Sequence, residues 1–353
     1  MHRVHGAAFR LGETRYRLAD ALLRSALAGE WRALEASIRE GAACEERADA
    51  EGSPLGEGEI RDALREFRYD HDLIAAEEAE GWLDAWEITA DEWREALVRQ
   101  RLRRHWARHL DAIVRDFPPD EETLARIAWP DLVCSGAVER LARELAERAA
   151  VAGAIEADAG LPGDSAVSAA GRAVPGPLLP AWMGVPEDDA TVRRLQRWEE
   201  GHAAARRREV TPDKVRAALA SHALEWTYVE AVRLAFPAEP MAAEAALRVR
   251  VDGESLAEVA ADLGRKAEAW RGFLEEAAPA LRVRLIGASS GELLGPLADE
   301  DGHALLHVVT REAPRAEDAR AWAHAEAHVW HGAAARALEA VVWELPDPKG
   351  VRG

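Results

Sequence analysis

The amino-acid sequence predicts an α+β fold, a mainly helical body that carries one small mixed sheet. Three features predict it. Apolar residues recur at helical spacing through residues 1–159, a proline- and glycine-rich stretch interrupts the chain at 160–190, and after Trp226 the pattern changes to strand-like alternation.

In the first lobe, Leu18, Leu22, Leu23 and Leu27 recur at helical steps, as do Trp31, Leu34 and Ile38, before a break at residues 52–59, GSPLGEGE. Ile60, Leu64 and Phe67 mark the next helical face, and a helix is expected over Ala75–Ala85. Thr89 and Glu92 form a T-x-x-E capping box. It opens a helix whose stripe of Trp93, Leu97, Leu102, Trp106 and Leu110 runs toward Phe117. Further helices are expected at Glu121–Ile127 and Ala137–Ala157. The segment 160–190 reads as a linker, and connecting helices follow through 191–226, the second of them launched by Thr211-Pro212 as N-cap and first helical residue.

Residues 227–316 read as a compact module in the order strand, helices, strand, strand. Tyr228–Phe236 alternates and stops at Pro237. Two helices are expected over Ala242–Val251 and Ser255–Leu263. Trp270, Phe273 and Leu274 suggest a short helix, Leu281–Ile286 a strand, and Gly291–Leu297 a second short strand. Asp301-Gly302 is a tight turn feeding the best strand of the chain, His303–Thr310. A last helix, Glu317–Ala340, lies in a C-terminal segment, 317–353, that is expected to return to the helical lobe.

Composition narrows the function. The 353 residues are 48% hydrophobic and 31% charged, a globular balance. No stretch approaches the ~20 apolar residues of a membrane span, and charges interrupt the N-terminus where a signal peptide needs an apolar centre, so a cytoplasmic protein without a membrane partner is expected. With 64 acidic against 45 basic residues the net charge is −19, which opposes a nucleic-acid partner. Cys44 and Cys134 are far apart and outside any CxxC, which points to buried thiols in a reducing compartment. Thirteen tryptophans against five phenylalanines and three tyrosines suit either core anchors in an alanine-rich interior or the lining of a peptide site. No GxGxxG or GxxxxGK[ST] pattern is present.

Three segments then carry a resemblance. VTPDKVRAALASHALEW, AEAALRVRVDGESLAEVAADLG and SSGELLGPLADEDGHALLHVVTREAP follow one another in the order of the approach helix, helix–Gly turn–helix and closing strand of parvulin-type peptidyl-prolyl isomerase domains. Residues 210–314 resemble that domain as it occurs in SurA-like and PrsA-like chaperones. The helical segment FRYDHDLIAAEEAEGWLDAWEITADEWREALVRQRLRRHWARHL is similar to parvulin-related proteins of peptide maturation, found with ribosomally made peptides. The resemblance implies a SurA-like helical chaperone body with a parvulin-like module. It also implies a paired histidine in the first and last strands, and here the sequence departs from it. Alignment through the Gly turn places Leu234 at the first histidine position, and alignment through Gly302 places Ala304 at the second. The family's Gly-Gly-Asp-Leu-Gly-type stretch is missing between Gly264 and Arg282.

Prolyl isomerisation crosses a barrier of ~18–20 kcal/mol by binding a twisted amide, without covalent chemistry. Loss of the histidines removes polar preorganisation while an apolar groove can survive. The expectation is therefore a chaperone-like accessory protein with no catalytic residues. Its partner would be a precursor or unfolded peptide, or a peptide-modifying enzyme. It would contact a peptide through Leu234, Phe236, Trp270, Phe273, Ala304 and Leu306. The alternative is an enzyme, either a divergent isomerase or a metal-assisted modifier. His324, His328 and His331, at i, i+4 and i+7, fall within about 60° of one helix face and are its candidate ligands for a divalent metal; packed or solvated histidines are the plainer reading. Likewise Arg99, Arg101, Arg103, Arg104 and Arg108 read either as a solvated face paired with Glu92 and Glu95 or as a dock for an acidic leader peptide.

Overall fold

A computed structural model describes residues 3–158, 177–299 and 302–346. In chain order the elements are β1 (Ala7–Leu11), β2 (Thr14–Arg17), α1 (Leu18–Leu27), α2 (Trp31–Glu51), α3 (Glu57–Asp70), α4 (Ala76–Ala85), α5 (Ala90–His105), α6 (Leu110–Asp116), α7 (Glu121–Cys134), α8 (Ala137–Asp158) and α9 (Asp189–Glu209). There follow α10 (Pro212–Ser221), β3 (Tyr228–Phe236), α11 (Glu239–Arg250), α12 (Leu256–Asp262), β4 (Glu268–Phe273), α13 (Pro279–Ile286), β5 (Leu293–Asp299), β6 (Gly302–Glu312), α14 (Ala319–Leu338) and β7 (Val341–Trp343). The chain forms two units, one of residues 1–207 with 333–353 and one of residues 208–332, so the α+β class holds: a mainly helical body and a small sheet module.

The first unit is helical because its apolar faces recur at the helical period and find one another. Leu22 and Leu23 of α1 and Leu141 and Leu145 of α8 are fully buried, and the alanines around them let the helices approach closely. Thr89 caps α5 as expected: Glu92 N–H donates to Thr89 Oγ1 (3.2 Å) and the Thr89 N–H donates to Glu92 (2.8 Å). No tryptophan of the chain is exposed, which favours their reading as core anchors; Trp129 Nε1 donates to the Trp86 carbonyl at 2.9 Å.

Several expectations for this unit are corrected. A three-stranded antiparallel sheet, ordered β2-β1-β7, stands where only helices were expected. Gly12, at φ +57°, starts the two-residue turn between β1 and β2, and β7 reaches β1 from the other end of the chain. The helix that starts at Thr89 stops at His105, and α6 starts afresh. Helix α7 continues past Ile127 with Pro130 inside it, because its flanks Ile127, Ala128, Leu132 and Val133 are all buried. Of the expected linker, residues 160–176 lie outside the described residues, but Leu179, Trp182 and Met183 are core side chains, so its second part is packed structure.

The arginine segment divides: Arg104 and Arg108 are exposed, as the solvated reading expects, whereas Arg99, Arg101 and Arg103 pair with acids of other helices. Arg99 is 1% exposed and held by Asp131 of α7 (2.8 Å) and Glu45 of α2 (3.0 Å), with Glu95 only at 3.9 Å. Arg24 is a second buried guanidinium, between Glu30, Glu144 and Glu199.

In the second unit the sheet is wholly antiparallel, not mixed, in the order β4-β3-β6-β5. The expected helix at Trp270–Leu274 is the edge strand β4 followed by a single 3-10 turn, and the expected strand at Leu281–Ile286 is the helix α13. One face of the sheet packs on α11 and α12 through Leu234, Phe236 and Leu305; the other packs on α13 and its flanks through Val229, Ala231, Leu306 and Val308. Helix α10 and the first half of α14 form a third cluster around Trp226 and Phe273. Gly302, at φ +128°, is required where β6 begins: a Cβ there would sit 2.4 Å from the Phe236 carbonyl.

Candidate functional site

The register of β3 on β6 decides what the expected peptide-contact residues can do. Leu234 pairs with Leu305, and Ala235 with Ala304. Because successive side chains alternate faces, Leu234 and Phe236 point to the α11–α12 side, whereas Ala304 and Leu306 point to the α13 side with Trp270. Phe273 belongs to the α10–α14 cluster. The six residues therefore do not share a surface. Five of them are buried, Phe273 the most exposed of these at 8%, and full burial of such side chains contributes about 1.5–3 kcal/mol each. They are core residues, and a groove built from them is ruled out.

The same register revises the two imidazole positions. Leu234 and Ala304 do not oppose one another, yet the cross-strand pairs that contain them, Leu234 with Leu305 and Ala235 with Ala304, are all carbon. The nearest imidazoles, His303 and His307, face Phe236 and Val232 across the ladder. They lie four residue steps apart along the strand, roughly 13 Å, too far to orient each other.

The backbone at the two sheet edges is treated differently. At β5 the Arg250 guanidinium of α11 donates to the Leu293 carbonyl (3.0 Å) and the Gly295 carbonyl (2.9 Å), taking two acceptors in the first half of that strand. At β4 the Leu274 N–H donates to the Thr227 carbonyl (3.0 Å), so by the alternation of an antiparallel ladder Trp270 and Gly272 bond to β3 while Ala269 and Arg271 direct their N–H and C=O outward. Both residues are exposed, and among the described residues no group bonds their backbone on that side. Phe273, at the inner end, has its outward N–H taken by Glu276 (2.9 Å). Sequence reasoning missed this edge because Trp270 and Phe273, three apart, imitate a helical face.

A second constellation surrounds Trp226. Glu275 accepts from Trp226 Nε1 (3.0 Å) and lies 2.7 Å from His324 Nε2. His222, at the end of α10, stacks on Trp226 with centroids 4.6 Å apart, and His328 faces His222 at 4.6 Å. Burial, then the charge of His222, holds the His328 imidazole below its usual range. His324 is thus engaged by a carboxylate and His328 by another imidazole, and both His328 and His331 are exposed. Among the described residues no group of three or more His, Cys, Asp or Glu side chains is placed to hold a metal ion, so the three α14 histidines do not make a ligand set. No helix of the described residues is long and apolar enough to cross a membrane.

No family model matches the chain, and no curated protein sequence matches it.

Proposed function

We propose that the protein is a peptide-binding, chaperone-like accessory factor, of SurA-like or parvulin-like kind, for the maturation of a ribosomally made peptide, and that it holds an extended peptide by strand addition to β4 without isomerase turnover. The observation that carries this reading is the open β4 edge opposite an Arg250-capped β5 edge. Strand addition uses main-chain hydrogen bonds for affinity and alternate side-chain contacts for selectivity, and Ala269 and Arg271 offer two donors and two acceptors at the required spacing. Further support comes from the adjacency of β3 and β6, the strands that the parvulin resemblance requires to be neighbours. Carbon at both cross-strand pairs leaves no polar group there to stabilise a twisted prolyl amide.

The test is fluorescence anisotropy with a labelled unstructured peptide. Ala269→Pro removes an outward N–H without touching the β3 ladder, and is expected to abolish binding while the thermal melt stays intact. A peptide N-methylated at alternate residues is expected to bind at least 10-fold more weakly than its parent. Equal binding of both peptides, or prolyl isomerase turnover like that of an ordinary parvulin, would overturn the reading.

A further inference from the structure

The first unit contains a cavity of about 470 Å³ between α3, α5 and the end of α7, within the size range of small-ligand sites. Phe67 and Leu97 give it an apolar floor. Four arginines of α5 line it, and three are already neutralised: Arg99 by Asp131 and Glu45, Arg101 by Glu66 and Arg103 by Glu40. The fourth, Arg104, makes no side-chain hydrogen bond or ion pair with the described residues. One turn earlier on the same helix, the Nε2 of Gln100 is buried and donates to no acceptor among the described residues. Leu97, Gln100 and Arg104 fall at i, i+3 and i+7, so a single stripe of α5 presents an apolar contact, an unspent amide donor and an unspent guanidinium to one cavity.

We infer that this cavity binds the carboxylate of a small ligand, with Arg104 and Gln100 as its donors. A buried amide donor without an acceptor and, one turn on, an exposed guanidinium without an ion-pair partner together call for an oxygen acceptor that carries a single negative charge. Glu66, Asp70 and Asp131 line the same cavity and would repel a doubly charged phosphate. The carboxylate can belong to a free acid or to an acidic side chain of a peptide. This site is independent of the β4 edge, and either can fail without the other.

The chain has two glutamines and no asparagine, so its carboxamide NH₂ signals in a ¹⁵N–¹H correlation spectrum come from Gln100 and Gln196 alone. Gln100→Met, expected to melt no lower than the parent, assigns the Gln100 pair. Glutarate and the peptide acetyl-Ala-Glu-Ala-amide are then titrated separately, with neutral glutaramide as control. The Gln100 pair is expected to shift saturably with a carboxylate probe and not with glutaramide, and Arg104→Met, which adds no carboxamide, is expected to weaken the response at least 10-fold. A response to the peptide assigns the acid to a polypeptide side chain, and a response to glutarate alone assigns it to a free small acid. A Gln100 pair that stays still with both probes, that moves equally with glutaramide, or that responds undiminished in Arg104→Met would overturn the site.

Discussion

Arg250 lies across the end of Leu293: its guanidinium donates 3.0 Å to the Leu293 carbonyl and 2.9 Å to that of Gly295 two residues on. A side chain from α11 thus occupies two carbonyl acceptors of β5, one way in which proteins blunt a sheet edge that would otherwise recruit another strand. Arg250→Ala is expected to give the sheet a second open edge and produce concentration-dependent self-association, measured by sedimentation velocity; the parent protein supplies the baseline.

Asp131 and Arg99 form a buried pair whose removal is expected to be expensive. Asp131→Ala leaves the Arg99 guanidinium, 1% exposed, with Glu45 as its close partner, so the loss is expected to fall below the about 3–5 kcal/mol of a buried charge left wholly unpaired. Urea unfolding measures the loss. Burial pushes the Asp131 carboxyl up to about 6 against the pull of Arg99. Because the folded group then binds its proton more tightly than the unfolded one, its contribution to stability is present below about pH 4 and is lost as the pH rises to about 6. Asp131→Asn is expected to flatten stability across that window.

His328 is expected to give the opposite slope. Burial and the charge of His222 hold its imidazole below the ordinary value of 6.5, so the unfolded chain takes up the proton first. Stability attached to the neutral His328 is present above about pH 6.5 and declines as the pH falls through that value and on through the lower folded one. Trp226 stands at 5.1 Å from His328, so its fluorescence reports the change locally. His328→Gln is expected to remove this acid dependence; an unchanged profile would assign it to another group.

Strong periods were legible from residue types alone, and neighbours were not. The alternation of Tyr228–Phe236 placed β3, and the Thr89–Glu92 box placed the start of α5, within a residue or two. The module's second strand and last helix were interchanged, because Glu268–Phe273 spaces its aromatics like a helix while Leu281, Val283 and Leu285 alternate like a strand. What settles them is tertiary: β4 has the free side of β3 to pair with, and Pro279 suits the first turn of α13, whose Val283 is left 70% exposed. The small sheet β2-β1-β7 joins segments more than 320 residues apart, a pairing no local window contains. The candidate site was illegible for a related reason. Residue types suggested apolar contact residues, but register sent them to two faces of a core, and an open edge is defined by the absence of a neighbour.

Amide hydrogen exchange at Ala269 and Arg271, with and without a saturating unstructured peptide, tests the account most directly. The expected result is rapid exchange of both outward N–H groups in the free protein and strong protection of both in the complex, with the amides of Trp270 and Gly272 protected throughout. Peptide binding that leaves Ala269 and Arg271 exchanging at their free rates would contradict strand addition at β4.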